Sequence, residues 1–205
     1  MRLYLFLFFS IYFNFLFSQD STYLKVHFLY GSKPLKAYKN ESKWFGGILG
    51  GHVGIESDSG KILNFLPVGK FHIFPKKVNK HGTYALYSSD QFYGYFGGNP
   101  DSVKKTVVFV PISKQQKIQF DSLTNAYLKT TPYDYALFGI RCGAASYEIL
   151  GQLGILPKYT LNKTRRVIIY PRKLRKRLLK KANDNGWVII RKQGSIQRKW
   201  EKDRF

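Results

Sequence analysis

The chain has 205 residues, carries 34 Lys+Arg against 12 Asp+Glu for a formal charge of +22, and is 44% hydrophobic and 17% aromatic. That length suits one domain, and so much apolar material excludes a disordered polyelectrolyte. Cys142 is the single cysteine, which excludes an intrachain disulfide and leaves the fold to its hydrophobic core.

The chain opens with Met1-Arg2, runs through the almost wholly apolar stretch Leu3 to Phe17, and reaches the small residue Ser18 before Gln19-Asp20-Ser21. A charged start, an apolar run and a small residue form the pattern of a secretory leader. The run is shorter than the roughly 20 apolar residues a bilayer span needs. Removal of residues 1–18 is expected, leaving 19–205 as a single domain that works outside the cytoplasm, periplasmic or secreted.

Tyr23 to Tyr30 is aromatic and branched and stops at Gly31-Ser32-Lys33-Pro34, which predicts a strand ending in a turn. A glycine-rich stretch, Gly46 to Gly51, leads into His52-Val53-Gly54-Ile55-Glu56. The turn Ser57-Asp58-Ser59-Gly60 and the run Lys61 to Leu66 follow, the signature of a hairpin. Lys70 to Phe74, Thr83 to Tyr87 and Thr106 to Val110 read as further strands. The period then lengthens. Lys114 to Lys129 is predicted helical and ends at Thr131-Pro132, because a residue before proline avoids helical angles. Cys142 to Leu153 is a second helix with Gly154 at its C-terminal end. Pro171 opens a third, whose Leu174, Leu178 and Leu179 share a core-facing side, before a strand at Trp187 to Ile190. Strands followed by helices without regular alternation define an α+β class, an antiparallel sheet packed against helices.

Cys142 falls at the start of its helix, where unpaired N–H groups and the dipole favour a thiolate nucleophile. The competing assignment is a small apolar side chain that packs. Four histidines are available as a base: His27, His52, His72 and His81. His52 follows the glycine run and opens a strand. If Asp58-Ser59-Gly60 is a three-residue loop, Ser57 faces Lys61 and Asn64 lies on the same side of the sheet as His52. Asn64 is then the first candidate to orient the imidazole, with Glu56 and His72 as alternatives.

Gly51-His52-Val53-Gly54-Ile55 with a polar residue twelve positions after the histidine resembles the histidine strand of papain-like hydrolases of the NlpC cell-wall peptidase type. Thr131-Pro132-Tyr133 before Cys142, and Gly154-Ile155-Leu156-Pro157 after its helix, resemble that family's segment around the nucleophile. Here the histidine precedes the cysteine, which is similar to the circularly permuted branch that includes lecithin:retinol acyltransferase-like enzymes. The resemblance spans about Gly50 to Pro157. It implies a papain-like fold in permuted order, Cys142 as nucleophile, His52 as base, Asn64 as orienting residue, and Tyr133 near the oxyanion pocket. Asn64 stands where histidine is common in that branch. The chemistry implied is amide or ester cleavage through an acyl-cysteine, which requires no cofactor and no metal.

From Lys158 to Phe205 there are 17 Lys+Arg and 3 Asp+Glu, and the helix after Pro171 alone holds Arg172, Lys173, Arg175, Lys176, Arg177, Lys180 and Lys181. Such a segment attracts anions, here an anionic cell-envelope component or a lipid headgroup. Export makes nucleic acid an unexpected partner. Three functions compete: an exported thiol hydrolase acting on a cell-wall peptide, a lipid acyl hydrolase or acyltransferase, and a catalytically silent protein that docks on the envelope through its basic segment.

Overall fold

The computed structural model describes residues 22–40, 50–57, 59–78, 80–95 and 100–202. The expected leader, most of the Gly46 to Gly51 stretch and Asp58 lie outside them. Six strands form one antiparallel sheet: β1 (Thr22–Leu29), β3 (His52–Glu56), β4 (Ile62–Pro67), β5 (Gly82–Tyr87), β6 (Lys105–Ile112) and β7 (Ile189–Lys192), in the order β5-β4-β3-β1-β6-β7. A small second sheet pairs β2 (Ser32–Pro34) with β8 (Arg198–Trp200). The α+β class is therefore shown.

Alternation along the strands divides the sheet into two faces. Leu24, Val26 and Phe28 of β1, Val53 and Ile55 of β3, and Leu63 and Phe65 of β4 bury themselves in the larger core. Helices α2 (Lys114–Lys129), α3 (Cys142–Gln152) and α5 (Pro171–Asp184) cover that face through Phe120, the α3 apolar residues, and Leu174, Leu178 and Leu179. The opposite face carries His27, Leu29, His52, Glu56, Ile62 and Asn64. It is covered in part by the short helix α1 (Ser89–Gly94), whose Phe92 and Tyr93 pack with Leu29, Ile62 and Val103. Among the described residues, no helix is long and apolar enough to cross a membrane.

The central helix is α3, almost entirely buried. Small residues explain its position: a Cβ on Gly143 would come within 3.0 Å of the Pro171 backbone, so only glycine lets α3 and α5 meet there. The helix ends as its sequence indicates, with Gly154 at φ +70°. A further short helix, α4 (Leu161–Val167), joins α3 to α5 and starts at a Thr160 cap.

The Lys70 to Phe74 strand is corrected. That segment is a loop touching regular structure only at an isolated bridge, His72 to Ala136. The last strand begins two residues later than expected, at Ile189. The basic run of α5 is not uniformly solvated: Arg175 is fully buried, 3.1 Å from Glu201 and 3.7 Å over the Tyr30 ring. It occupies the same stripe as Leu174, Leu178 and Leu179.

Candidate active site

The hairpin of β3 and β4 positions the first two candidate residues. Its register pairs Glu56 with Ile62, Ile55 with Leu63 and Gly54 with Asn64, and Gly60 turns the chain at φ +66°. Asn64 therefore stands on the His52 face, and His52 Nε2 lies 3.1 Å from Asn64 Oδ1. The amide orientation is fixed from its other end, because Asn64 Nδ2 donates to the Ala85 carbonyl at 3.0 Å and toward that of Ile62 at 3.4 Å. An amide oxygen can only accept, so Nε2 carries the hydrogen and Nδ1 holds the lone pair. Phe92 packs against the imidazole with ring centroids 5.3 Å apart. Gly54 makes room for it, since a Cβ there would lie 2.8 Å from the Phe92 ring and 2.4 Å from Ile62.

The two alternatives to Asn64 serve other partners. Glu56 is 2.8 Å from His27 Nε2 and 2.6 Å from Lys25 Nζ, contacts that hold its carboxyl at about 2 against the opposing effect of burial. His72 Nδ1 is 2.6 Å from Asp134. That carboxylate also accepts the backbone N–H groups of Lys76 and His81 at 2.9 and 2.6 Å.

Cys142 begins α3, as its sequence indicates, and is buried in the helical layer. The Tyr135 hydroxyl and the Gly143 and Val53 N–H groups are near enough to the thiol to favour its charged form. The helix it opens packs on β3, and the Val53 N–H that bears on the thiol belongs to the residue after His52. Pairing of β3 with β4 stops at Gly54 and Asn64, so the thiol meets β3 beyond the end of that ladder. Alternation sends the Val53 side chain into the layer holding Cys142 and directs the His52 ring to the Phe92 side. Thiol and imidazole thus approach residues 52–53 from different sides of the strand.

Burial governs both ionisations. It pulls His52 down to about 4, opposed only in part by the Asn64 bond. It pushes the Cys142 thiol up, opposed by Arg141, the Tyr135 hydroxyl and the two N–H donors. The expectation of a thiolate favoured by the helix start is thereby corrected. The donors are present, but desolvation outweighs them. The resting site holds a neutral thiol and a neutral imidazole.

Tyr133, expected at the oxyanion pocket, is buried with its hydroxyl bonded to that of Tyr84 and its ring edge-on to Phe65. The tyrosine that bears on the ionisation of the thiol is Tyr135, two residues later. The spacing Tyr133-Asp134-Tyr135 made either tyrosine available, and only the loop that follows decides between them. The chain matches no protein-family model, no curated protein and no solved structure.

Proposed function

We propose that this protein is a thiol hydrolase of the permuted papain-like type, exported, cleaving an amide or ester through an acyl-cysteine at Cys142. One observation carries the reading: the helix that begins with Cys142 packs against β3, the strand opened by a histidine whose tautomer Asn64 dictates. In this reading the thiol proton reaches His52 Nδ1 around the start of β3, relayed by a bound water or a substrate group because the two side chains leave the strand on different sides, as sulfur attacks the substrate carbonyl carbon. The carbon–oxygen π bond becomes an oxyanion, held by N–H donors at the start of α3 and by the Tyr135 hydroxyl. Collapse of that intermediate expels the amine or alcohol, which leaves with the proton from His52. Water or another acceptor then releases the acyl group by the same steps in reverse. A neutral resting pair suits this sequence, because charge separates only when substrate is in place. A cell-wall peptide and a lipid ester are the two substrate classes this chemistry admits.

Incubation with p-nitrophenyl butyrate followed by intact-protein mass measurement tests it. A single butyryl adduct mapped to Cys142, absent in Cys142→Ala, supports the reading. No adduct at Cys142 overturns it.

The burial of Cys142, His52 and Asn64, with the thiol pushed up, favours a second reading: a catalytically silent fold that binds the envelope through its cationic surface. That reading predicts no adduct and envelope binding indifferent to Cys142→Ala.

A further inference from the structure

The loop of residues 70–78, the 136–141 segment and the junction of α4 with α5 enclose a cleft of about 650 Å³, which shares only Arg141 with the site described above. Its apolar part is Phe74, Leu137, Phe138 and Ile169, all exposed, Phe74 at 69% and Phe138 at 60%. Ile73 beside them is also exposed. Isolated exposed apolar residues are ordinary, but a contiguous group with projecting rings marks an interaction surface. The group is held in place. Leu137 N–H donates to the His72 carbonyl and Phe138 N–H to that of Ile73, both at 2.9 Å. The Phe74 and Phe138 rings lie 5.6 Å apart. Behind them, buried Asp134 gathers His72 and the Lys76 and His81 N–H groups.

The rest of the lining is cationic. Arg141 lies 4.7 Å over the Tyr170 ring and donates to the Ile169 carbonyl. Arg165 and Arg166 join it, with no carboxylate pairing to either among the described residues. Lys76 and Lys77 follow Phe74 in the exposed loop. No acidic residue lines the cleft.

We propose that this surface docks on an anionic lipid bilayer, Phe74 and Phe138 entering the acyl region while Arg141, Arg165 and Arg166 hold headgroup phosphates. Charge complementarity selects this occupant. Projecting apolar rings flanked by guanidinium groups suit the boundary where acyl chains meet phosphate. A second copy of a chain with formal charge +22 would instead bring like charge against this face. The proposal is independent of Cys142 and places docking away from the outer side of α5.

Vesicle sedimentation tests it, using phosphatidylcholine alone and phosphatidylcholine mixed with phosphatidylglycerol. The wild-type protein is expected to pellet with the mixed vesicles and to stay in solution with the neutral ones. Phe74→Ser with Phe138→Ser, and separately Arg165→Glu with Arg166→Glu, should weaken binding about tenfold or more. Lys176→Glu with Lys180→Glu on α5 should change it less than twofold. Wild-type indifference to the anionic lipid overturns the proposal, as does an equal loss in the α5 variant, which would indicate diffuse charge attraction. Self-association without vesicles that the serine pair abolishes would overturn it in favour of a second copy. Should the serine pair fail to fold, Phe74→Trp decides. Its emission, taken as the difference from wild type, should shift to the blue and be quenched by brominated acyl chains; an unchanged spectrum overturns the insertion.

Discussion

His52 and Asn64 share one face of the β3–β4 hairpin, with Nε2 3.1 Å from Oδ1. The second end of the amide is held by the Ala85 carbonyl, so the bond fixes the imidazole as the Nε2–H tautomer. Replacing Asn64 with Leu should leave the ring without that direction and slow Cys142 acylation by roughly 100-fold. Asn64→Asp should restore the orientation and, by placing an ionised carboxylate on the ring, raise the pH at which His52 loses its proton. Rate against pH for the two variants checks both.

His52 also makes stability depend on pH. Unfolded, the ring protonates as pH falls through 6.5; folded, it resists protonation until about 4. Its contribution is complete above 6.5, declines across that window and levels off below 4, a loss of about 3 kcal/mol at 1.36 kcal/mol per unit. Buried His27 is lowered as well and acts in the same direction. Glu56, held at about 2, contributes stability that is complete above 4.5 and lost as pH falls toward 2. Urea unfolding at pH 7.5 and 4.5 should show the first loss, and His52→Gln should lack most of it.

The buried pair of Arg175 and Glu201 ties the end of the described chain to α5. Glu201 N–H also donates to the Gly31 carbonyl at 2.9 Å, and Arg172 lies 3.5 Å from the same carboxylate. Arg175→Met alone should cost about 3–5 kcal/mol, since it removes the fully buried partner of a buried carboxylate. Arg175→Met with Glu201→Leu should recover much of that. Chemical unfolding of the two variants measures the difference.

Gly54 admits Phe92 beneath the His52 ring. Gly54→Ala would place a methyl 2.8 Å from the Phe92 ring and 2.4 Å from Ile62, so the expected cost is about 1–3 kcal/mol of stability. Acylation should fall with it, because Phe92 supports one side of the imidazole. Phe92→Leu in the same background should relieve part of the thermal destabilisation.

The placement of Asn64 beside His52 was legible because a hairpin register follows from its own loop, and Gly60 marks that loop. The start of α3 at Cys142 and its end at Gly154 were legible for the same local reason. Tyr135 beside the thiol was not, since its position depends on how residues 133–141 meet the 70–78 loop. That loop misled as a strand because its aromatic and branched residues satisfy the composition of one, while its partner is another loop and the pairing amounts to one bridge. Helix α1 is only six residues long, yet Ser88 and Gln91 form a capping box that could have announced it. Arg175 was readable too: it sits four positions before Leu179 and one after Leu174, on the buried stripe. Its charge hid a position the helical period assigns to the core. The ionisation of Cys142 could not be read from helix position alone, because burial is a property of the whole fold.

The most direct test of the nucleophile–base pair is the rate of Cys142 acylation by p-nitrophenyl butyrate as a function of pH, in the wild-type protein and in His52→Ala. The rate should rise through a midpoint near pH 4, where His52 becomes neutral, and hold toward neutrality. His52→Ala should lose that limb and fall by roughly 100-fold or more at pH 7. A profile that follows only the thiol's own ionisation at high pH, unchanged in His52→Ala, would contradict the pairing and leave Cys142 a packed core residue.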